Sequence, residues 1–339
     1  MEFFCGLDVG MDQTAICVFD DKGEVLLEVA VMTDPDAIKG ALSSYLGLLR
    51  RVGHEAGALS PWLHGELLRL GLPAICLATQ HVRAALYAQR NKTDRTDALG
   101  IAHIIRTGWF RRAHIKTEPC YRLRLLLTHR RNLKRKFLDL ENAIRHSLKA
   151  FGIRLNRIGR GAFAQTVRDA LAGDDALTSE LIDAMLNARA ALWKEYCQLH
   201  GLVVKLVAGH ELCRRFKQIP GVGPIAALSF MTAIDDPSHF RRLRDVPAYF
   251  ALTSRGWQSG TSIDVQGPIS MAGHADVRHA LYEAASALLT RFKCRDKVKT
   301  RGLAVAKRSG HRKAVVAVAR KLAVIMHAMW CDGTAHCGD

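Results

Sequence analysis

Apolar and polar positions in the first third of the chain alternate in short runs, then switch to helical spacing. Phe3–Val9 is a mostly apolar strand with Asp8 near its end and Gly10 just beyond it. Gln13–Phe19 and residues 24–31 read as two further strands, joined to each other by the turn Asp20-Asp21-Lys22-Gly23, so that the three form an antiparallel meander. Residues 35–49 predict a helix opened by Asp34 or Asp36, and residues 51–56 a fourth strand carrying His54 and Glu55. Ser60 ahead of Pro61 reads as an N-cap with proline in the first turn, so a helix is expected through Leu70. Residues 73–78 form a fifth strand, and a helix bearing Asp94 and Asp97 comes after it. Strands first and helices later predict a mixed five-stranded sheet in an α/β domain over residues 1–118.

From about Tyr121 the period changes. Leu126, Leu133, Phe137, Leu140, Ile144, Leu148 and Phe151 recur at sevens, threes and fours, the seam of a long helix that packs on another helix. Residues 179–208 supply the partner and residues 159–175 the connection, so residues 119–211 are expected to form an antiparallel coiled-coil arm. Arg130, Arg131, Lys134 and Arg135 are placed on its outer faces, toward nucleic acid. Residues 212–330 read as a mainly helical domain and 331–339 as a tail. That domain opens on Gln218-Ile-Pro-Gly-Val-Gly-Pro, a helix–hairpin–helix layout in which Gly221 and Gly223 allow close approach to a phosphate; a plain turn between packed helices fits as well. Residues 250–267 read as a polar loop, and helices resume at 274–289 and 313–329.

Composition changes this picture mainly through charge. The 339 residues carry a formal net charge of +17, which points to a polyanionic partner. Residues 106–160 hold 16 Lys/Arg against 3 Asp/Glu, and residues 291–321 hold 12 against 1, so the rest of the chain is mildly acidic. Nine scattered cysteines without a C-x-x-C pair fit a reducing compartment and give no structural zinc pattern. The N-terminus lacks the layout of a signal peptide. The most apolar stretch, residues 314–330, is interrupted by Arg320 and Lys321, so no membrane association is expected.

The candidate chemistry begins with Asp94 and Asp97, three residues apart at the start of a helix. Alone, such a pair is usually a solvated helix face. Asp8 on the first strand and Glu55 on the fourth change its meaning. In an RNase H-like sheet, strands one and four are neighbours and the later helix crosses their ends. Four carboxylates converging there would suit hard cations, such as two Mg²⁺ ions clamping a phosphodiester.

The motifs Gly6-Leu-Asp8-Val-Gly10, His54-Glu55-Ala-Gly57 and Lys92-Thr-Asp94-Arg-Thr-Asp97-Ala98 resemble the insertion-sequence-110 family of transposases, which have a RuvC-like N-terminal domain. So do Ala251-Leu-Thr-Ser-Arg255, Gln258-Ser259-Gly260, Asp264-Val-Gln-Gly267, Ile269-Ser270 and Leu281-Tyr-Glu-Ala-Ala285, and the resemblance spans nearly the whole chain. It implies a metal-binding acidic tetrad at Asp8, Glu55, Asp94 and Asp97, with a nucleophilic serine at Ser259. It further implies double-stranded donor and target DNA, a structured non-coding guide RNA, a homotetramer and a bacterial cytosolic or nucleoid location. The chain departs from the family pattern at Ser254, where proline is frequent, and at Met271-Ala-Gly-His274. Read from the residues alone, Ser254 and Ser262 rival Ser259, and each is an ordinary turn serine. Arg255 beside Trp257 is a candidate phosphate contact, with base stacking or core anchoring open to the tryptophan. A junction-resolving nuclease that uses water is the alternative function. An actin-like kinase fits less well, because a second phosphate loop and an adenosine site are not found in the sequence.

Overall fold

A computed structural model describes residues 2–87, 93–156, 158–173, 175–259, 263–271, 273–294 and 296–336. The chain divides into two compact units, Met1–Glu118 and Pro119–Asp339.

The first unit runs β1 (Phe3–Val9), β2 (Gln13–Phe19), β3 (Val25–Met32), α1 (Pro35–Ala41), β4 (Leu49–Glu55), α2 (Ser60–Arg69), β5 (Ala74–Leu77), α3 (Thr79–Leu86) and α4 (Asp94–Thr107). Its sheet has the order β3-β2-β1-β4-β5. The β1–β2 and β2–β3 pairs are antiparallel, and β1–β4 and β4–β5 are parallel. This is the mixed RNase H-like sheet. The helix expected over residues 35–49 is shorter: α1 ends at Ala41, a 3-10 turn covers Ser43–Tyr45, and Leu49 already belongs to β4. Gly40 and Gly47, poor helix formers, flank the break. The short helix α3, between β5 and the helix of the acidic pair, was not anticipated.

Strand alternation gives the sheet two faces. Cys5, Leu7 and Val52 pack with Ile38 of α1 and Leu63 and Leu67 of α2. On the other face Phe4 and Ile75 meet Ile101, Ile104 and Ile105 of α4. Between them the register pairs Gly6 with Gly53. A Cβ on Gly6 would stand 2.2 Å from the Ala98 carbonyl oxygen, and one on Gly53 would stand 2.3 Å from the Ile105 side chain. These two glycines let α4 lie directly on β1 and β4. Gly6→Val is therefore expected to destabilise this unit by about 2–3 kcal/mol through overpacking against backbone. Urea unfolding followed by circular dichroism checks this, and wild-type stability would show that α4 can move aside.

The second unit contains α5 (Glu118–Leu148), α6 (Phe163–Ala170), α7 (Ala176–Gly209), α8 (Glu211–Phe216), α9 (Pro224–Ile234), α10 (Asp245–Tyr249), β6 (Ser254–Ser259), β7 (Ile263–Ile269), α11 (Ala275–Thr290), α12 (Lys297–Ser309) and α13 (His311–Asp332). One apolar core joins α8 to α13, and the start of α5 and the end of α7 pack on it through Leu123, Leu126, Leu127, Val203 and Val207. Far from that core, Ile144, Leu148, Phe163, Val167, Ile182 and Leu186 form a small cluster that ties α5, α6 and α7 together. The expected connection over residues 159–175 thus contains a helix, and Phe151, assigned to the seam, is 61% exposed. By length and composition α13 could cross a membrane. Yet Val315, Val318, Leu322, Ala323, Met326 and Met329 are buried in the core, the place of an interior helix. Within the segment expected as a tail, α13 ends at Asp332 and His336 Nε2 lies 3.0 Å from Asp296 Oδ2.

Candidate functional site

Asp8 and Glu55 sit at the carboxyl ends of neighbouring parallel strands. The register pairs Leu7 with His54, so the next step along both strands brings Asp8 beside Glu55. Both follow the alternation of Gly6 and Gly53 and belong to the α4 face. Asp97, in the first turn of α4, is 8% exposed and lines a cleft of about 500 Å³ together with Glu55, Thr79, Val82 and Arg83. Helix α4 starts where it does because Thr93 and Thr96 form a reciprocal capping box.

Asp94 goes elsewhere. It is exposed and lines a second cleft, with Gln13, Ala15, Glu28 and Arg95, on the β2–β3 side. Three residues of α-helix leave two side chains about 60° apart, enough for the acidic pair to line different clefts rather than converge. Among the described residues, no group of three or more His, Cys, Asp or Glu side chains stands ready to hold a metal ion. The expected fourfold convergence is therefore not assembled in this structure. Asp8, Glu55 and Asp97 share one side of the sheet, and Asp94 flanks them. All are oxygen donors, the set a hard divalent ion takes.

Sequence reading missed what holds Glu55. Its carbonyl oxygen accepts from Ser60 Oγ at 3.1 Å, and that oxygen accepts from Gly57 N at 2.8 Å. Ser60 makes this turn rather than capping α2, whose start has no side-chain cap. His54 is buried and faces the opposite side of the sheet, with Nδ1 3.2 Å from the Glu55 carbonyl oxygen and Nε2 3.0 Å from Nδ1 of His64. Burial pushes the His54 imidazole down to about 4, the Glu55 carbonyl opposing and His64 adding to the shift. A neutral ring thus donates Nδ1–H to that carbonyl. The signal was available in the strand itself, where a histidine directly before the acid must occupy the other face.

In the second unit, the polar stretch expected as a loop over residues 250–267 contains two strands. β6 and β7 form an antiparallel hairpin, with Ser254 opposite Ile269 at its base and Ser259 opposite Ile263 at its tip. Ser262 and Gly260 lie outside the described residues. Trp257 is 52% exposed and lies across Gly267, where a Cβ would stand 2.4 Å from the ring. It is a surface residue of the hairpin and not a core anchor. Arg255 Nη2 donates to the Ser270 carbonyl at 2.6 Å.

Two assignments to nucleic acid change. Arg130 points into the arm, where it is 9% exposed and donates to Tyr196 Oη at 2.8 Å and His200 Nδ1 at 3.1 Å. Counting heptads back from Phe137 and Ile144 places Arg130 and Glu141 on the seam. Glu141 there receives Arg189 at 2.6 Å, both side chains buried. Gly221, at φ +92°, owes its identity to packing: a Cβ would stand 2.4 Å from the Ala284 carbonyl of α11. Around Gly223 the space is open. Arg131, Lys134 and Arg135 line a cleft between α5, α9 and α11.

Comparison with known proteins matches residues 5–153 to a transposase family model with the DEDD motif of IS110, and residues 213–301 to the transposase IS116/IS110/IS902 family. The transposase for insertion sequence element IS1111A of Coxiella burnetii is 29% identical over 342 aligned positions, covering 98% of this chain and 91% of that protein. Among solved structures, RuvC of Thermus thermophilus in complex with a Holliday junction substrate aligns over 33% of this chain and 100% of its own, at 16% identity and a TM-score of 0.24. A second structure of RuvC from Thermus thermophilus gives 17% identity and a TM-score of 0.23 over 33% of this chain and 99% of its own. Both family models fall in order along the chain, one over the sheet unit and the start of α5 and one over the helical unit with its hairpin, so that most of this chain is similar to transposases of the IS116/IS110/IS902 kind.

Proposed function

We propose that this transposase cuts and rejoins donor and target DNA of a mobile insertion element through a covalent link to Ser259. The reading rests above all on the placement of Asp8 beside Glu55 at the ends of β1 and β4, with Asp97 lining the same cleft as Glu55. Asp8, Glu55 and Asp97 would hold Mg²⁺, with Asp94 alongside. A divalent ion supplies Lewis acidity for a phosphodiester and lowers the pKa of an oxygen nucleophile.

Ser259 Oγ attacks phosphorus, the P–O3′ bond breaks, and the released 3′ oxygen takes up a proton. A 5′ phosphoserine remains. Attack on it by the 3′-OH of the other strand restores a phosphodiester and returns the serine, so exchange needs no ATP. An unassisted serine hydroxyl is a weak nucleophile at neutral pH, which is why the carboxylates are required. Two basic blocks, Trp257 and Arg255 on the hairpin, and Arg131, Lys134 and Arg135 on α5 support a nucleic-acid partner. Gly223 remains a backbone contact in this reading. The family resemblance extends the proposal to a structured guide RNA and a homotetramer.

The test is strand exchange between donor and target duplexes with Mg²⁺ and with EDTA. Exchange only with the metal is the expected result, and undiminished exchange in EDTA rules out the carboxylate site.

A further inference from the structure

The cleft between α5, α9 and α11 is a second site of interest, and its lining is more specific than surface charge. Arg124, Thr128, Arg131 and Arg135 follow one stripe of α5, at intervals of four, three and four residues. With Lys134 they line a cavity of about 450 Å³ whose far wall is Ile225, Ser229 and Thr232 of α9 and the first turns of α11. The stripe covers about 16 Å of helix, long enough to follow several phosphates of one strand. Burial lowers the Arg131 guanidinium from its ordinary range, and the charges of Arg135 and Arg124 lower it further. Like charges have been gathered around one space.

Arg130 also lines the cleft, but its guanidinium is engaged by Tyr196 Oη and His200 Nδ1. Asp276, in the first turn of α11, pairs with Arg131. Arg124 Nη2 lies 3.4 Å from Nδ1 of His274, whose Nε2 is 2.9 Å from Tyr249 Oη. His279 and Glu283 pair with each other along α11 at 3.2 Å. A planar guanidinium pairs with a carboxylate and with a phosphate by the same fork of donors. Asp276 therefore occupies the position a phosphate would take on Arg131.

We infer that this cleft binds a phosphodiester strand, and that the Asp276 carboxylate competes with its phosphates for Arg131. The inference rests on the transposase reading above but concerns binding alone. When the strand enters, Arg131 exchanges Asp276 for phosphate, with Arg124, Lys134 and Arg135 on neighbouring phosphates. Thr128 and Asn132 supply neutral hydrogen bonds along the same wall.

The competition predicts effects of opposite sign. Binding is measured by fluorescence anisotropy on the full-length protein, using a labelled DNA duplex and a labelled RNA hairpin of matched phosphate count over a range of salt. Arg135→Gln, at an exposed position, is expected to weaken binding about tenfold and to lower the log–log salt slope by about 1. Asp276→Asn, which keeps shape and removes the competing charge, is expected to tighten binding several-fold. A thermal melt confirms that each variant is folded. Effects on the duplex alone identify DNA as the source of the strand, effects on the hairpin alone identify RNA, and effects on both identify the shared backbone; each supports the site. An unchanged salt slope in Arg135→Gln, or weaker binding of both probes by Asp276→Asn, overturns it. Either result leaves the serine and carboxylate reading intact, since that reading is judged by strand exchange and covalent capture.

Discussion

Asp97→Asn is expected to lose strand exchange by about 100-fold or more, the scale of removing one preorganised charge partner from a reacting phosphodiester. The substitution is isosteric, and the helix start is held by Thr93 and Thr96, so the fold has no reason to change. What it removes is the buried carboxylate that lines the Glu55 cleft. Asp94→Asn provides the internal comparison. Because Asp94 is exposed and lines the cleft on the β2–β3 side, its loss is expected to be smaller than that of Asp97. Initial rates of exchange under saturating Mg²⁺, with melting temperatures alongside, decide the order. Equal losses would mean that both acids converge on the reacting phosphate.

Ser259→Ala is expected to remove exchange by about 10⁴-fold, as losing a nucleophile does, and to eliminate any covalent protein–DNA species. The hairpin explains why Ser254 is a poor substitute. Ser254 lies at the base of β6 opposite Ile269, at the other end of the six-residue strand from Ser259, which pairs with Ile263. Ser254→Ala is accordingly expected to retain exchange within a few-fold, as most surface substitutions do. Denaturing gels of the two variants with a nicked suicide substrate distinguish them. A covalent species in Ser259→Ala that is absent from Ser254→Ala would reassign the nucleophile.

The sheet was legible because its signals are local. Alternation in Phe3–Val9 and Gln13–Phe19 and the turn at Asp20–Gly23 are written in adjacent residues, and they return as β1, β2 and the start of β3. The boundaries that moved depended on tertiary contacts. The apolar residues after Ala41 suit a helix, yet the chain must turn there to enter β4 beside β1. The polar residues of the β6–β7 stretch suit a loop, and its order comes from cross-strand pairing that composition does not show.

At the site, the sequence predicts that Asp8, Glu55, Asp94 and Asp97 converge; the adjacency of β1 and β4 sets Asp8 beside Glu55, and Asp97 lines a cleft with Glu55. The divergence of Asp94 from Asp97 was beyond that argument, since it depends on how α4 is rolled over Gly6 and Gly53. Arg130 was misplaced for a different reason. Charge suggested an outward face, but its heptad position is on the seam, where Tyr196 and His200 satisfy the guanidinium.

The most direct test of the central claim is to trap the reaction on a nicked DNA substrate, digest the protein and map the nucleotide-bearing peptide by mass spectrometry. The account predicts a phosphodiester-linked nucleotide on Ser259. Efficient exchange with no adduct at all, or with the adduct on any other residue, would contradict it.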